Sequence, residues 1–330
     1  MRINKNHGQQ KLNCIKTQIS QTLCITKTNK MKKAILVLTA VLLVCHISFG
    51  QSEDFTVYND LSYLSKESVS NDSLQRLNLV LPSNKENYPL LIWIGGGAWS
   101  YGDRNQEMDL AKRFAAQGIA VASIGHRLSP ATWRDSTLDK GIQHPRHIED
   151  VAASVKWLHD NADTYGYDKG AFFIGGYSSG AHLSALISLD NTYLNQVGLS
   201  IEIFKGVIPI SGTYDIVDYH NVFLNGGRPE LAKLHVEAVF GSTDKDFKNA
   251  SPVTYLKNLS IPMLLISDNT LYNYSKLFEE KIRETEFRDM QVLYSYDLSH
   301  GELWKNISLS EKSIYRAVIV NFIKTLFGNG

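Results

Sequence analysis

The chain has 330 residues, with 34 Lys/Arg against 33 Asp/Glu and a formal net charge of +1. The first fifty residues hold eight of the basic residues and none of the acidic ones. The remainder therefore carries a net charge of −7, which argues against a nucleic-acid-binding surface. All three cysteines, Cys14, Cys24 and Cys45, lie in those fifty residues too, so the rest has no disulfide, thiolate metal site or cysteine nucleophile.

Residues 1–30 are polar and basic and read as a non-translated or disordered extension ahead of a start at Met31. Met31-Lys32-Lys33 is a basic opening, Ala34 to Val44 is a continuous apolar run, and Ser48-Phe49-Gly50 suits a signal peptidase. Residues 31–50 are expected to be a secretory signal peptide cut before Gln51, which would send the protein to a bacterial periplasm or outside the cell. The apolar run is short for a membrane span of ~20 residues, so a retained anchor is the alternative. A lipid on Cys45 ranks below both, because Val44 is large for an attachment box. Residues 51–330 remain, enough for one domain with a buried core.

Short apolar runs then alternate with helix-length segments, the pattern of an α/β protein with a mostly parallel sheet. Leu74–Leu81 and Leu90–Ile94 read as strands, the second ending in Gly95-Gly96-Gly97. A helix is expected over Gln106–Gln117, stopped by Gly118, and a buried strand over Ile119–Ile124. From Pro145 or Arg146 a helix lines up Ile148, Val151, Ala152, Val155 and Leu158 on one face. Ala171–Gly175, Phe204–Ile210, Met263–Ser267 and Gln291–Tyr296 read as further strands, and Lys276–Glu286 and Glu311–Leu326 as the last helices. Residues 215–258 fit this rhythm poorly and are expected to form a small lid over the site.

The chemistry concentrates at Gly176-Tyr177-Ser178-Ser179-Gly180, a Gly-x-Ser-x-Gly turn between a strand and a helix. Such an elbow is too tight for side chains on its flanks. It presents the serine oxygen at the sheet end, beside the N–H groups of a helix N-terminus. A serine hydroxyl needs a base. Of the histidines after Ser178, His300 follows the last strand, whereas His220 and His235 fall in the irregular segment and read as surface residues. The chain order Ser, acid, His puts Asp268 first as the orienting carboxylate, since it ends a strand. Asp215, after the preceding strand, is the rival, and Asp297 reads as a turn residue. Gly96, Gly97 and Ala98, after a buried strand, can bring N–H groups close to a developing oxyanion, with Ser179 adding another. His144 and His147 make at most a pair, short of the ligands a metal site needs, and no cofactor is called for. Trp99, Trp133 and Trp157 read as core or pocket wall.

Together these stretches resemble the alpha/beta-hydrolase carboxylesterases with a His-Gly-Gly-x-Trp oxyanion loop, including feruloyl-esterase-like and acetyl-esterase-like proteins and the arylformamidases. The resemblance covers most of residues 72–325. It rests on the run from Gly96 to Asp103, on His126-Arg127-Leu128-Ser129-Pro130, on His144 to Val151, on the elbow, and on Ala250 to Leu256. It implies Ser178 as nucleophile, His300 as base, and Gly96, Gly97, Ala98 and Ser179 as oxyanion donors. Two departures stand out. Gly95 replaces the family's loop histidine, whose side chain mainly supports the loop. The acid-bearing turn, Ser267-Asp268-Asn269-Thr270-Leu271, is shortened, and an ungapped alignment would place the acid at Leu271. The expected activity is hydrolysis of small acyl or aromatic-acyl esters, including those on plant polysaccharide fragments. An arylformamidase-like amidase and a catalytically weak binding protein are the alternatives. The implied partner is a small-molecule or oligosaccharide ester; the oligomeric state is open.

Overall fold

Eight strands form one sheet: β1 (Phe55–Ser62), β2 (Arg76–Pro82), β3 (Tyr88–Ile94), β4 (Ala120–Ile124), β5 (Tyr167–Tyr177), β6 (Phe204–Ile210), β7 (Met263–Ser267) and β8 (Met290–Tyr294). Their spatial order is β1-β2-β4-β3-β5-β6-β7-β8. β1 runs antiparallel to β2 and β2 to β4, while β4, β3, β5, β6, β7 and β8 are parallel. This is the alpha/beta-hydrolase fold with a mostly parallel sheet flanked by helices. The computed structural model describes residues 55–64, 73–83 and 86–328; the expected extension and signal peptide lie outside them.

The strands form where apolar runs can be covered on both faces. All seven residues of β3 are buried. Leu90, Ile92 and Ile94 join one core layer, and Leu91 and Trp93 join the other. Burying each such side chain contributes about 1.5–3 kcal/mol, so the centre of the sheet is its most strongly specified part. The helix Ser179–Leu189 is buried along its whole length; it carries no Asp, Glu, Lys or Arg, and its Ser184 and Ser188 hydroxyls donate to the Ala181 and Ala185 carbonyls of the preceding turn.

Several boundaries differ from the expected ones for local reasons. β1 is a largely exposed edge strand; Phe55 and Val57 alternate toward the core, but the register shift between Tyr58 and Leu61 breaks that alternation after one repeat. The segment expected as one helix over Gln106–Gln117 opens as a 3-10 turn, Arg104–Glu107, before the α-helix Met108–Ala115. The last helix starts at Ile314 rather than Glu311, because the Ser313 hydroxyl accepts the Arg316 N–H at 3.1 Å and ends the loop as a cap. Residues 215–258 fold as short helices, among them Ile216–Asn225 and Asp244–Ala250, joined by the π-type turn Ala232–Glu237. Val236, Val239, Phe240, Phe247 and Ala250 from this segment are buried in the core, which makes it a packed helical insert.

Candidate active site

At the end of β5 the chain reverses sharply into the helix Ser179–Leu189. Ser178 sits at φ 57°, ψ −119°, a conformation that costs a non-glycine residue about 1–3 kcal/mol. Its N–H donates to the Ile210 carbonyl at 2.9 Å, which ties the strained turn to β6. The flanking glycines are steric requirements. A Cβ on Gly176 would lie 2.5 Å from the Gly180 carbonyl carbon, and one on Gly180 would lie 2.0 Å from the Ile94 oxygen.

His300 opens the helix His300–Ser308. That start is fixed by Glu302, whose carboxylate accepts both the N–H and the hydroxyl of Ser299. The loop after β8 is also joined to the loop after β7. Asn269 N–H donates to the Leu298 carbonyl at 3.1 Å, and His300 N–H to Thr270 Oγ1 at 3.2 Å. Asp268 directly follows β7 and is fully buried. Its Oδ2 lies 2.7 Å from His300 Nδ1, while Oδ1 accepts the N–H groups of Thr270 and Leu271 at 2.8 and 2.9 Å. Burial alone would raise this carboxyl. The hydrogen bonds from the His300 ring, Ser211 and the Leu271 N–H outweigh it and hold Asp268 below the usual carboxylate range. An ionised carboxylate can only accept, so the proton of a neutral His300 ring sits on Nδ1 and Nε2 is left as a base.

The oxyanion loop reaches the serine through close backbone approach. A Cβ on Gly96 would stand 3.1 Å from the Ser178 Cβ, and one on Gly97 would stand 2.3 Å from the Gly102 nitrogen. Gly97, Ala98 and Trp99 all have positive φ, at 144°, 49° and 58°. Among the described residues, the N–H groups of Gly96, Gly97 and Ala98 find no backbone acceptor. Ser179 opens a helix, where the first N–H groups have no intrahelical partner. Trp99 anchors the loop. Its indole donates to His182 Nδ1 at 3.2 Å, and His182 Nε2 donates to the Ala250 carbonyl at 2.7 Å. Burial pushes the His182 ring down to about 3, so it stays neutral and can accept.

A cleft of about 210 Å³ brings these parts together. It is lined by Gly96, Gly97, Tyr101, Gln106, Glu107, Tyr177, Ser178, His300, Gly301 and Trp304. Ala98 and Ser179 adjoin lining residues in the chain without lining the cleft themselves. The helical insert 215–258, expected as a lid, contributes none of the described lining residues; its Tyr219, His235 and Phe240 pack their rings against Trp99 instead.

Asp215 does not meet the base. Its carboxylate caps the helix Ile216–Asn225 by accepting the Asp218 N–H at 3.1 Å, and it pairs with Lys281 at 3.4 Å. His235 is buried, not a surface residue as expected, with Nε2 against the Tyr219 hydroxyl at 2.8 Å; His220 pairs with Glu237 at 3.0 Å. His144 and His147 face different partners, Tyr193 at 3.3 Å and Ser129 at 2.9 Å. The other matched stretches are scaffold. Asp150 binds Arg127 through its backbone and guanidinium N–H groups and accepts from Gln75. Ser129 N–H then donates to the Trp99 carbonyl at 2.9 Å, which braces the oxyanion loop from behind.

Three residues of the site escaped the sequence reading. The Tyr177 hydroxyl lies 3.2 Å from Asp268 Oδ2 and against the His300 carbonyl. Ser211, at φ 54°, accepts the Asp268 N–H at 3.0 Å. Glu107 is buried and accepts from the indoles of Trp93 at 2.9 Å and Trp304 at 3.3 Å. Burial, with a smaller push from the Asp103 charge, raises Glu107 to about 6 despite those two indole bonds. A signal for Glu107 was present: it stands three, four and seven residues before the buried Leu110, Ala111 and Phe114, in line with the apolar face of the helix that follows it.

Comparison with known proteins identifies the family and agrees with the fold. The BD-FAE family model matches residues 77–281. Esterase LipC of Mycobacterium tuberculosis is 31% identical over 226 residues, which cover 64% of this chain and 53% of LipC. The chain thus spans about half the length of the curated relatives it matches. Inhibited esterase B from Lactobacillus rhamnosis superposes with a TM-score of 0.70 at 21% identity, covering 90% of this chain and 96% of that one. A bifunctional GH43-CE protein of Bacteroides eggerthii gives 0.63 at 20% identity, covering 84% and 36%. At these identities the structural matches show the fold.

Proposed function

The chain belongs to the BD-FAE family, serine hydrolases of the alpha/beta-hydrolase fold, and on that premise we propose that it hydrolyses carboxylic esters through an acyl-enzyme on Ser178. Ser178 Oγ attacks the ester carbonyl while His300 Nε2 takes its proton, and Asp268 keeps the imidazole in the tautomer that leaves Nε2 free. The N–H groups of Gly96, Gly97 and Ser179, with Ala98 beside them, receive the developing oxyanion. His300 then protonates the leaving alcohol, and water activated by the same ring releases the acid. The observation that carries this reading is a strained serine sharing one cleft with a histidine whose Nδ1 is held at 2.7 Å by a buried carboxylate.

The substrates we propose are small acyl or aromatic-acyl esters, including those on plant polysaccharide fragments. The small cleft, lined by Gln106 as well as by Tyr101 and Trp304, supports a short acyl group next to a hydroxyl-rich alcohol. The likeness to a protein whose name pairs GH43 with CE points the same way. Export directed by residues 31–50 is part of the same proposal; an amino terminus at Gln51 on protein recovered outside the cytoplasm would support it. The decisive experiment compares wild type and Ser178→Ala on p-nitrophenyl acetate, methyl ferulate and N-formylkynurenine, alongside fluorophosphonate labelling. Ser178→Ala is expected to lose the label and on the order of 10⁵–10⁶ in kcat. An unlabelled, inactive wild type would point to a binding protein.

A further inference from the structure

Glu107 has no part in the steps above, yet it lines the same cleft as Ser178 and His300. Two elements converge on its carboxylate. Trp93 belongs to β3, two residues before the oxyanion loop begins, and donates its indole N–H to Oε2 at 2.9 Å. Trp304 belongs to the helix that starts at His300, one turn further along. Its indole N–H lies 3.3 Å from both carboxylate oxygens. We infer that Glu107 is a positioning residue of the esterase site, whose carboxylate ties the strand feeding the oxyanion loop to the helix carrying His300. The inference rests on the esterase reading of Ser178 and His300.

Gly95 is the complement of this arrangement. A Cβ there would stand 3.1 Å from Glu107 Oε1 and 3.2 Å from its Cγ. The carboxylate therefore fills space that a side chain at the head of the loop would need. In the resembled carboxylesterases a histidine occupies that position and supports the loop. Here the support comes from across the cleft, from the helix that Glu107 leads into.

An indole N–H is only a donor, and an ionised carboxylate only an acceptor, so the ionised form serves both tryptophans. Protonation turns one oxygen into a donor that faces an indole N–H, and one tether is released. The titratable groups around the carboxyl are Asp103 on its own turn, Tyr101 from the oxyanion loop, Tyr177 from the end of β5 and His300 across the cleft. Arg104 beside it is engaged by Asp60 and the Ser73 carbonyl. Because burial holds Glu107 at about 6, the tether loosens as pH falls through that value.

The test is the pH profile of kcat and KM for p-nitrophenyl acetate with the full chain, in wild type, Glu107→Gln and Trp304→Phe. Glu107→Gln places an amide against two N–H donors. It is expected to lower kcat roughly 10-fold to 100-fold through misplacement of the base, with KM little changed. Wild type should also show a tryptophan-emission transition with a midpoint near 6, and Glu107→Gln should lack it. A Glu107→Gln enzyme with wild-type kcat, pH profile and emission overturns the inference and leaves the esterase reading standing. Should that variant fail to fold, Trp304→Phe carries the same test. It removes only the donor on the His300 helix, and an unchanged kcat and acid limb there overturns the inference as well. A wild type that neither turns over esters nor takes the fluorophosphonate label defeats the esterase reading and this inference with it.

Discussion

Asp268 and Glu107 are both buried carboxyls at the Ser178 cleft, one bonded to a lining residue and one lining it, and their protons behave oppositely. Asp268 is met by a ring N–H, a serine hydroxyl and the backbone N–H groups of a tight turn, and is held below the usual range. Glu107 has two indole donors and the charge of Asp103 nearby, and rises to about 6. Burial disfavours both anions. The number and charge of the donors that replace water decide which carboxyl stays ionised. A carboxylate kept charged can fix a histidine tautomer, whereas one poised near neutrality can only hold its partners conditionally.

The comparison breaks most severely at Asp268. Asp268→Asn should lower kcat by roughly 10⁴-fold at neutral pH, because an amide N–H can face Nδ1 and turn the imidazole to the unproductive tautomer. A loss of less than tenfold would remove Asp268 from the mechanism. Gly97→Ala should follow, with a loss of about 10²–10³-fold in kcat. Its new Cβ meets the Gly102 nitrogen at 2.3 Å and displaces the loop. An unchanged rate would show that this loop is not the oxyanion site.

Stability against pH sharpens the contrast. The folded-state pKa of Asp268 is depressed, so its contribution is present above the unfolded value of ~3.9 and is lost as pH falls through the folded value. Asp268→Asn should therefore trail wild type at neutral pH, with the gap closing on acidification. Glu107 is the reverse case. Its pKa rises from 4.5 to about 6 on folding, so its cost grows across that interval and stays above it. Denaturant titrations should show Glu107→Gln gaining about 2 kcal/mol on wild type between pH 4 and pH 7, at 1.36 kcal/mol per pH unit. A flat difference would mean that Glu107 is not buried as an anion. The smallest effect is expected at the rival acid. Asp215→Ala should cost about 1 kcal/mol of stability as a lost helix cap, with kcat within about twofold. Loss of activity there would reopen the assignment of the orienting carboxylate.

Much of the molecule was legible along the chain because its signals are local. The central strands announced themselves as apolar runs, and the glycines at 96, 97, 176 and 180 marked places where backbones meet. Ser178 and His300 stood out by motif and by position after a strand. The strand at Phe55–Ser62 was missed because its core-facing alternation, Phe55 and Val57, stops at the register shift between Tyr58 and Leu61. The helical insert at 215–258 was hard to place because its apolar residues are shared between the main core and Trp99. The buried state of His235 and the capping role of Asp215 likewise depend on neighbours distant in the chain.

The sequence by itself determined the fold class, the elbow serine and the Gly-rich loop, since each follows from the steric and hydrophobic demands of a short stretch. Only the tertiary structure decided which aspartate faces His300, and that Tyr177, Ser211 and Glu107 belong to the site. Those roles come from the donors and charges that burial brings within 3 Å or so of a carboxylate, and residues 90 or 200 positions apart along the chain supply them.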